Sequence, residues 1–458
     1  MPPWNDVTLH DMVARTMLRG GVHYRDVFDT NLPGIDWSMA AVRYLLGSSY
    51  EVLRAVDLLV IGGIVAALCG WVRRCGGTGY AVAWFVAAAA LFYPFLSEFN
   101  HVQRDPWMLL PAVIAARLRL RKVIQPLPPA PSPSKGGGAG CSPSPRGGGV
   151  GEGSLPSSVL EGFVWGLAVW VKPHVIVPAL AVWAVSAVLL ARHEPRKRIA
   201  ADLAGLLLGG VLAGAPGVLW LVGTGAWPYF LDIFLNWNPD YLSEAGSVAV
   251  RFGTTFDCFR PWSILHYAAL PLALLALWEA RVWPRRASEP AKVPGSGWLY
   301  CPAASEREVA ARALLAACYL AWLAQVVLVQ KAFDYVHVPL MFLGMALIAG
   351  QRWCFGFAYL VWFAAVGVLV NAAEVYPAVM PAVRAIDPAD RHVKFEKHPV
   401  MDWQVMRLCR GAGPKAVRRR CATGWASTPT CIAEPSGANS KTWPRTCAPS
   451  GRRWGRGN

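Results

Sequence analysis

Charge is scarce in this chain. Asp, Glu, Lys and Arg supply only 16% of its 458 residues, against roughly a quarter in an ordinary soluble domain. Carboxylates are the scarcer sign, 28 against 44 Lys and Arg, which leaves a net charge of +16. Hydrophobic residues make up 55% and mean hydropathy is +0.34, values that exclude disordered, fibrous and disulfide-scaffold classes. Paired cysteines are missing too. Cys69, Cys75, Cys141, Cys258, Cys301, Cys318 and Cys354 are scattered without metal-ligand spacing, several inside apolar runs. They read as small buried hydrophobes. No signal peptide opens the sequence, since Met1 to Asn5 runs straight into polar residues, and no repeat of two related halves, as transporters usually show, is visible.

Long apolar runs are what the chain has instead. A spanning helix needs about 20 apolar residues, fewer where long side chains snorkel at its ends. By that measure the sequence predicts an all-α, polytopic membrane helix bundle of about ten spans, at 52–72, 79–96, 106–120, 159–172, 174–191, 202–223, 262–280, 309–329, 335–350 and 352–370. Basic clusters follow every second run: Arg73 and Arg74, then Arg117, Arg119, Arg121 and Lys122, then Arg192, Arg196, Lys197 and Arg198, then Arg281, Arg285 and Arg286. The positive-inside rule makes those turns cytoplasmic. It explains the basic balance better than nucleic acid does, and no nucleic-acid partner is expected. Segments 1–51, 97–105, 172–174, 224–261, 330–334 and all after 371 then lie outside. Residues 1–51 need a span before them, so a first helix upstream is expected to be missing from this chain.

The expected organisation has six parts. Residues 1–51 form a first extracytoplasmic loop with juxtamembrane helices, 52–125 are transmembrane helices, and 126–158 are a disordered cytoplasmic insert. Residues 159–371 are transmembrane helices with extracytoplasmic loops, 372–408 an extracytoplasmic segment, and 409–458 a disordered tail. The insert is nearly all Pro, Gly and Ser, with a PSPSKGGG and PSPRGGG near-repeat. Such sequence cannot offset its ordering entropy. The tail holds ten Lys or Arg, one acid and four Cys without an apolar run, like GC-rich coding sequence read out of frame. It carries +9 of the net +16.

The outward segments hold the chemistry. WNDVTLHDMVARTMLRGGVHYRDVFDTNLPGIDW supplies Asp6, His10, Asp11, Arg25, Asp26 and Asp29, with helical spacing from Thr8 to Leu18. SEFNHVQRDPW supplies Glu98, His101, Arg104 and Asp105. WVKPHV puts Lys172 and His174 in a short turn, and VQKAFDYVHVP supplies Lys331, Asp334, Tyr335 and His337. Ionisable groups at a membrane boundary point to function by default. A carboxylate can take the proton of an acceptor hydroxyl or amine, while Lys and Arg hold a phosphate leaving group. Plainer roles stand beside these. Asp26 and Asp29 can cap turns before Pro33, Glu98 and His101 can be interfacial polar residues, and Lys172-Pro173-His174 can simply end a helix. The aromatic-rich 227–241 resembles an interfacial belt.

At these residues the sequence resembles the GT-C glycosyltransferases, integral membrane enzymes that use polyprenyl-phosphate sugars. The nearest likeness is to the bacterial branch related to protein mannosyltransferases and aminoarabinose transferases, glycosyltransferase family 39-like. Asp6 followed by Gly20, Gly21, Tyr24, Arg25, Asp26, Asp29 and Pro33 resembles that branch's first outer loop, and GSSYEVLRAVDLL its small-residue turn and second helix. Arg104-Asp105 resembles its second-loop acid, and QKAFDYVHVP its later K-x-x-x-Y-x-x-x-P element. The likeness covers roughly residues 1–375.

The resemblance implies a glycosyltransferase of a bacterial inner membrane, with its active face outside. The donor would be a polyprenyl-phosphate-linked sugar, and the partner surface the lipid bilayer. Asp6 would be the catalytic base, and Asp105 a second acid that binds a metal or orients the acceptor. Arg25, Asp26, Asp29, Arg104, Lys172, His174, Lys331, Tyr335 and His337 would bind substrate. No cofactor is called for with certainty, and a divalent metal stays open. Two departures are visible: Val7 stands where the family often has Glu, and the chain begins five residues ahead of Asp6. The rival expectations are a transporter or flippase of lipid-linked sugars, and an inactive degenerate member of the family.

Overall fold

The computed structural model describes residues 5–124, 154–239, 247–259, 262–286, 305–331 and 333–351. The expected span 352–370, the outer segment 372–408, the tail 409–458 and most of the insert lie outside the described residues. The described chain is helical, and its one β-bridge, between His23 and Val27, is isolated. In order come α1 (Asn5–Leu18), α2 (Gly34–Leu46), α3 (Tyr50–Arg74), α4 (Gly79–Phe92), α5 (Arg104–Ile124), α6 (Ser154–Val171), α7 (Ile176–Leu190) and α8 (Arg196–Gly223). They are followed by α9 (Trp227–Asp232), which runs on into a π turn, then α10 (Val248–Asp257), α11 (Leu265–Arg286), α12 (Glu306–Val329) and α13 (Asp334–Ala349). Ser49, Thr78, Ser247 and Ser305 cap α3, α4, α10 and α12, each accepting a backbone N–H of the first turn.

Among the described residues, five helices are long and apolar enough to cross a membrane: Tyr50–Arg74, Pro173–Leu190, Arg196–Gly223, Trp262–Val282 and Glu306–Val329. Shorter apolar helices cover Gly79–Phe95, Leu155–Val171 and Asp334–Ala349. The expected run 106–120 falls within α5, whose last turns carry Arg117, Arg119, Arg121 and Lys122. Large apolar side chains face outward along α8, among them Leu207, Val211 and Leu219. Residues 154–158, read from composition as the end of the insert, form the first turn of α6. Ser158 is buried there and donates to Asp202 at 2.7 Å.

In lipid, apolar contact alone gives helices little reason to associate, so close approach and polar contacts decide packing. The α6–α8 pair uses close approach. Gly205, Gly209, Ala213 and Gly217 recur every fourth residue on α8, opposite Gly162 and Gly166 on α6. A Cβ on Gly209 would strike the main chain of Val159, Gly162 and Phe163. At one end of this seam Arg119 pairs with Glu161 (2.8 Å) and Asp202, and Lys122 donates to Asp202 and Ser158, both at 2.6 Å. The core is centred on α12, which packs against α5, α7, α11 and α13. The Trp71 indole donates to the Ala311 carbonyl and Arg312 Nε to the Cys75 carbonyl, both at 2.9 Å.

The turns sort to two ends of the bundle. The basic turns meet at one: Arg192 donates to the Ala280 carbonyl at 2.6 Å, and His193 lies 3.0 Å from Glu306. The first segment and the turns at 97–103, 172–175 and 330–333 meet at the other, through Lys172, Gln330, Arg104 and Asn31. Gly34, at the start of α2, lies against the Trp170 and Val171 backbone where a Cβ would not fit, which seats α2 on the end of α6.

A buried polar cluster at one end of the bundle

Lys172 is the hub of this end. Pro173 has no N–H to continue α6, so the helix stops at Val171, Lys172 is extended, and a 3-10 turn (Pro173–Val175) leads into α7. The Lys172 ammonium has three protons, and three contacts take them. It donates to Asp105 Oδ1 (2.6 Å), Asp105 Oδ2 (2.8 Å) and Gln330 Oε1 (2.8 Å). Asp105 is 0% and Lys172 5% exposed. A buried cation is costly unless paired in good geometry, and here the pairing is complete. Asp105 sits in the first turn of α5, where its charge also favours the helix dipole. Gln330 ends α12, and Arg251 of α10 fixes that turn by donating to the Leu328 and Gln330 carbonyls, both at 3.2 Å.

Two further groups stand around the hub. Asp6, half-buried in the first turn of α1, and Arg104 both lie within electrostatic reach of Lys172. Arg104 donates to the Asn31 side-chain oxygen. The approach to α5 is bent by Val102, whose φ of 57° is rare for a β-branched residue. Such strain clusters where side chains are held for function.

Asn31 links this hub to a second cluster. Its backbone and side-chain N–H groups donate to Asp29 Oδ1 at 3.0 and 2.7 Å. The other Asp29 oxygen faces two histidines, 3.6 Å from His23 Nε2 and 4.0 Å from His10 Nδ1. Asp36, in the first turn of α2, completes the group, 2.8 Å from His10 and 3.7 Å from His23. All four side chains are buried. Burial pushes the Asp36 carboxyl up to about 6, helped by the Asp29 charge and opposed by His10. Burial would lower His10, but Asp36 and Asp29 outweigh it and raise it. Burial would raise Asp29, yet His23, His10 and Arg104 hold it well below the usual carboxylate range. Tyr24, at φ 66°, stacks on His23 at 3.8 Å and donates to the Asn31 carbonyl at 2.6 Å.

Of the residues the sequence put forward, Asp6, Asp29, Arg104, Asp105 and Lys172 come together here. Arg25 and Asp26 do not. They are exposed, pair with each other at 2.9 Å, and Asp26 accepts the Val22 N–H at 2.7 Å as a turn cap. His174 follows Lys172 in the 3-10 turn. Lys331 is half-buried beside Gln330. Tyr335 is buried and stacked on Phe333, with Phe99 5.1 Å away, and His337 is buried deeper in α13. Glu98 pairs with Arg54. His101 lies 3.5 Å from buried Asp57, which also accepts from Tyr93 and Trp107.

Sequence reasoning passed over His23, Asp36, Arg251 and Gln330. His23 and Asp36 stand inside the quoted first segment, where the density of His and Asp was the available signal. Gln330, a neutral amide, gave none. Comparison with protein-family models, with curated proteins and with solved structures finds no match for this chain.

Proposed function

We propose that this chain is an inverting glycosyltransferase of about ten spans in a bacterial inner membrane, working on the extracytoplasmic side. It moves a sugar from a polyprenyl-phosphate donor to a lipid, glycan or protein acceptor. One observation carries the reading. Lys172 is held by Asp105 and Gln330 at the end of the bundle where the polar turns meet, with Asp6 and Arg104 in electrostatic reach. Cations at that depth suit a phosphate whose prenyl tail lies among helices.

The chemistry divides among these residues. Asp6 takes the acceptor proton as the acceptor atom bonds to the anomeric carbon. The bond from that carbon to the phosphate oxygen breaks, and polyprenyl phosphate leaves with the electron pair. Arg104 stabilises its growing charge, and Lys172, whose three protons stay on Asp105 and Gln330, adds only the field of its ammonium. Asp105 spends both oxygens on Lys172, so it is a positioning residue that fixes the ammonium. Lys331, next to Gln330, would add a further cation for the donor's headgroup.

The test uses the purified full chain in proteoliposomes with a panel of labelled polyprenyl-phosphate sugars. Transfer from one of them, with release of polyprenyl phosphate, is the expected result. Passage of an intact lipid-linked sugar across the bilayer, with no bond cleaved, would instead make the chain a flippase.

A further inference from the structure

The cluster around Asp29 and Asp36 has a composition that the transfer chemistry leaves unused. It presents two imidazole nitrogens and two carboxylates from three stretches of chain: α1, the 23–29 loop and α2. The donor atoms of His10, Asp29 and Asp36 lie within 4.8 Å of one another. A zinc ion with bonds of about 2.0–2.1 Å in a tetrahedron sets its donors about 3.3 Å apart. His10 Nδ1 lies 2.8 Å from Asp36 Oδ1 and 4.0 Å from Asp29 Oδ2, while His23 Nε2 lies 3.6 Å from Asp29 Oδ2 and 3.7 Å from Asp36 Oδ2, so Asp36 would reach a shared cation through both of its oxygens.

A second observation is independent of the acids. His23 is 1% exposed and neither of its ring nitrogens has a hydrogen-bond partner, although Nε2 is aimed at both carboxylates. Asp29 Oδ2 and Asp36 Oδ2 are likewise buried without a hydrogen-bond donor. Buried polar atoms in native proteins are satisfied in the great majority of cases, and three orphans converging on one point call for a common partner.

We propose that His10, His23, Asp29 and Asp36 bind one divalent cation of the zinc class. Two carboxylates neutralise its charge. The imidazoles select it over magnesium and calcium, which take oxygen ligands in larger number. Four protein donors with no exposed position make the site structural in kind. The Asn31 amide holds Asp29 from behind through Oδ1, and Arg104 holds Asn31. The cation therefore ties α1 to α2 and orients Arg104 toward the Lys172 hub. The inference stands apart from the transfer reaction, since it concerns occupancy and not turnover.

The experiment is metal analysis of the full-length protein in detergent, stripped with chelator and equilibrated with Zn2+. About one Zn2+ per chain and a raised melting temperature are expected. His23→Ala and Asp36→Asn should bind at least about 10-fold more weakly. Should those variants misfold, Co2+ added to the wild-type chain provides the second readout. The visible absorption of tetrahedral cobalt should appear and be displaced by Zn2+ but not by Mg2+. Absence of bound zinc in the wild type, equal zinc in wild type and folded variants, or displacement by Mg2+ would each overturn the proposal.

Discussion

The Asp105–Lys172 pair can be taken apart in a way that separates its structural cost from its chemical use. Replacing Asp105 by Asn leaves a buried ammonium without its counter-charge, and replacing Lys172 by Met leaves a buried carboxylate without its donor. Either change should cost about 3–5 kcal/mol, the usual penalty for removing one partner of a buried pair. Most of that penalty is the stranded charge. The double variant Asp105→Asn, Lys172→Met strands none, at similar side-chain volume, and should cost no more than either single change. Additive effects would sum to about 6–10 kcal/mol, so the coupling energy should be about 3 kcal/mol or more. Reversible unfolding in mixed detergent micelles measures all four corners of the cycle. The same double variant should fold yet lose sugar transfer. The reasoning fails if the double variant costs the sum of the singles, or if each single costs under about 1 kcal/mol as a solvated pair would.

Two further outcomes follow from the architecture. Gly209→Ile drives a branched side chain into the Val159–Phe163 backbone, with no flexible neighbour to yield. It should destabilise by about 1–3 kcal/mol or more by the cost of overpacking, while the same change at Gly210, which faces open space, should cost far less. Equal melting temperatures for the two variants would refute the α6–α8 seam. Topology reporters inserted at Gly76 and at Glu194 should report the cytoplasm, and those at Ser48 and Gly225 the opposite side. A reporter pattern in which Gly76 and Gly225 share a side would contradict the orientation.

Much of the architecture was legible because it rests on composition that repeats along the chain. The apolar runs foretold an all-α chain, with five helices among the described residues long and apolar enough to cross a membrane, and the basic turn at 192–193 can be followed in the structure. Arg192 and His193 do meet the far ends of α11 and α12, at Ala280 and Glu306. The site was legible only residue by residue. Asp105 and Lys172 each stood out as ions at a membrane boundary, but they lie 67 positions apart and only the packing of α5 on α6 brings them together. Gln330 is 158 positions from Lys172, and its amide completes the ammonium's shell without any charge to announce it. Asp29 was read as a turn cap or a binding residue, and its two oxygens do separate work, one capping Asn31 and one facing the histidines. Arg25 and Asp26 satisfy each other across adjacent positions, a local interaction that spacing alone cannot tell from a binding pair.

Asp6 carries the central claim, because every other residue in the mechanism positions or neutralises while Asp6 moves the proton. The direct measurement is sugar transfer by Asp6→Asn in proteoliposomes, alongside the wild-type chain with membrane insertion and melting temperature shown to be equal. The account predicts transfer by the wild type and its loss, by at least about 100-fold, in the variant, in keeping with removal of a general base. Undiminished transfer by Asp6→Asn would contradict it.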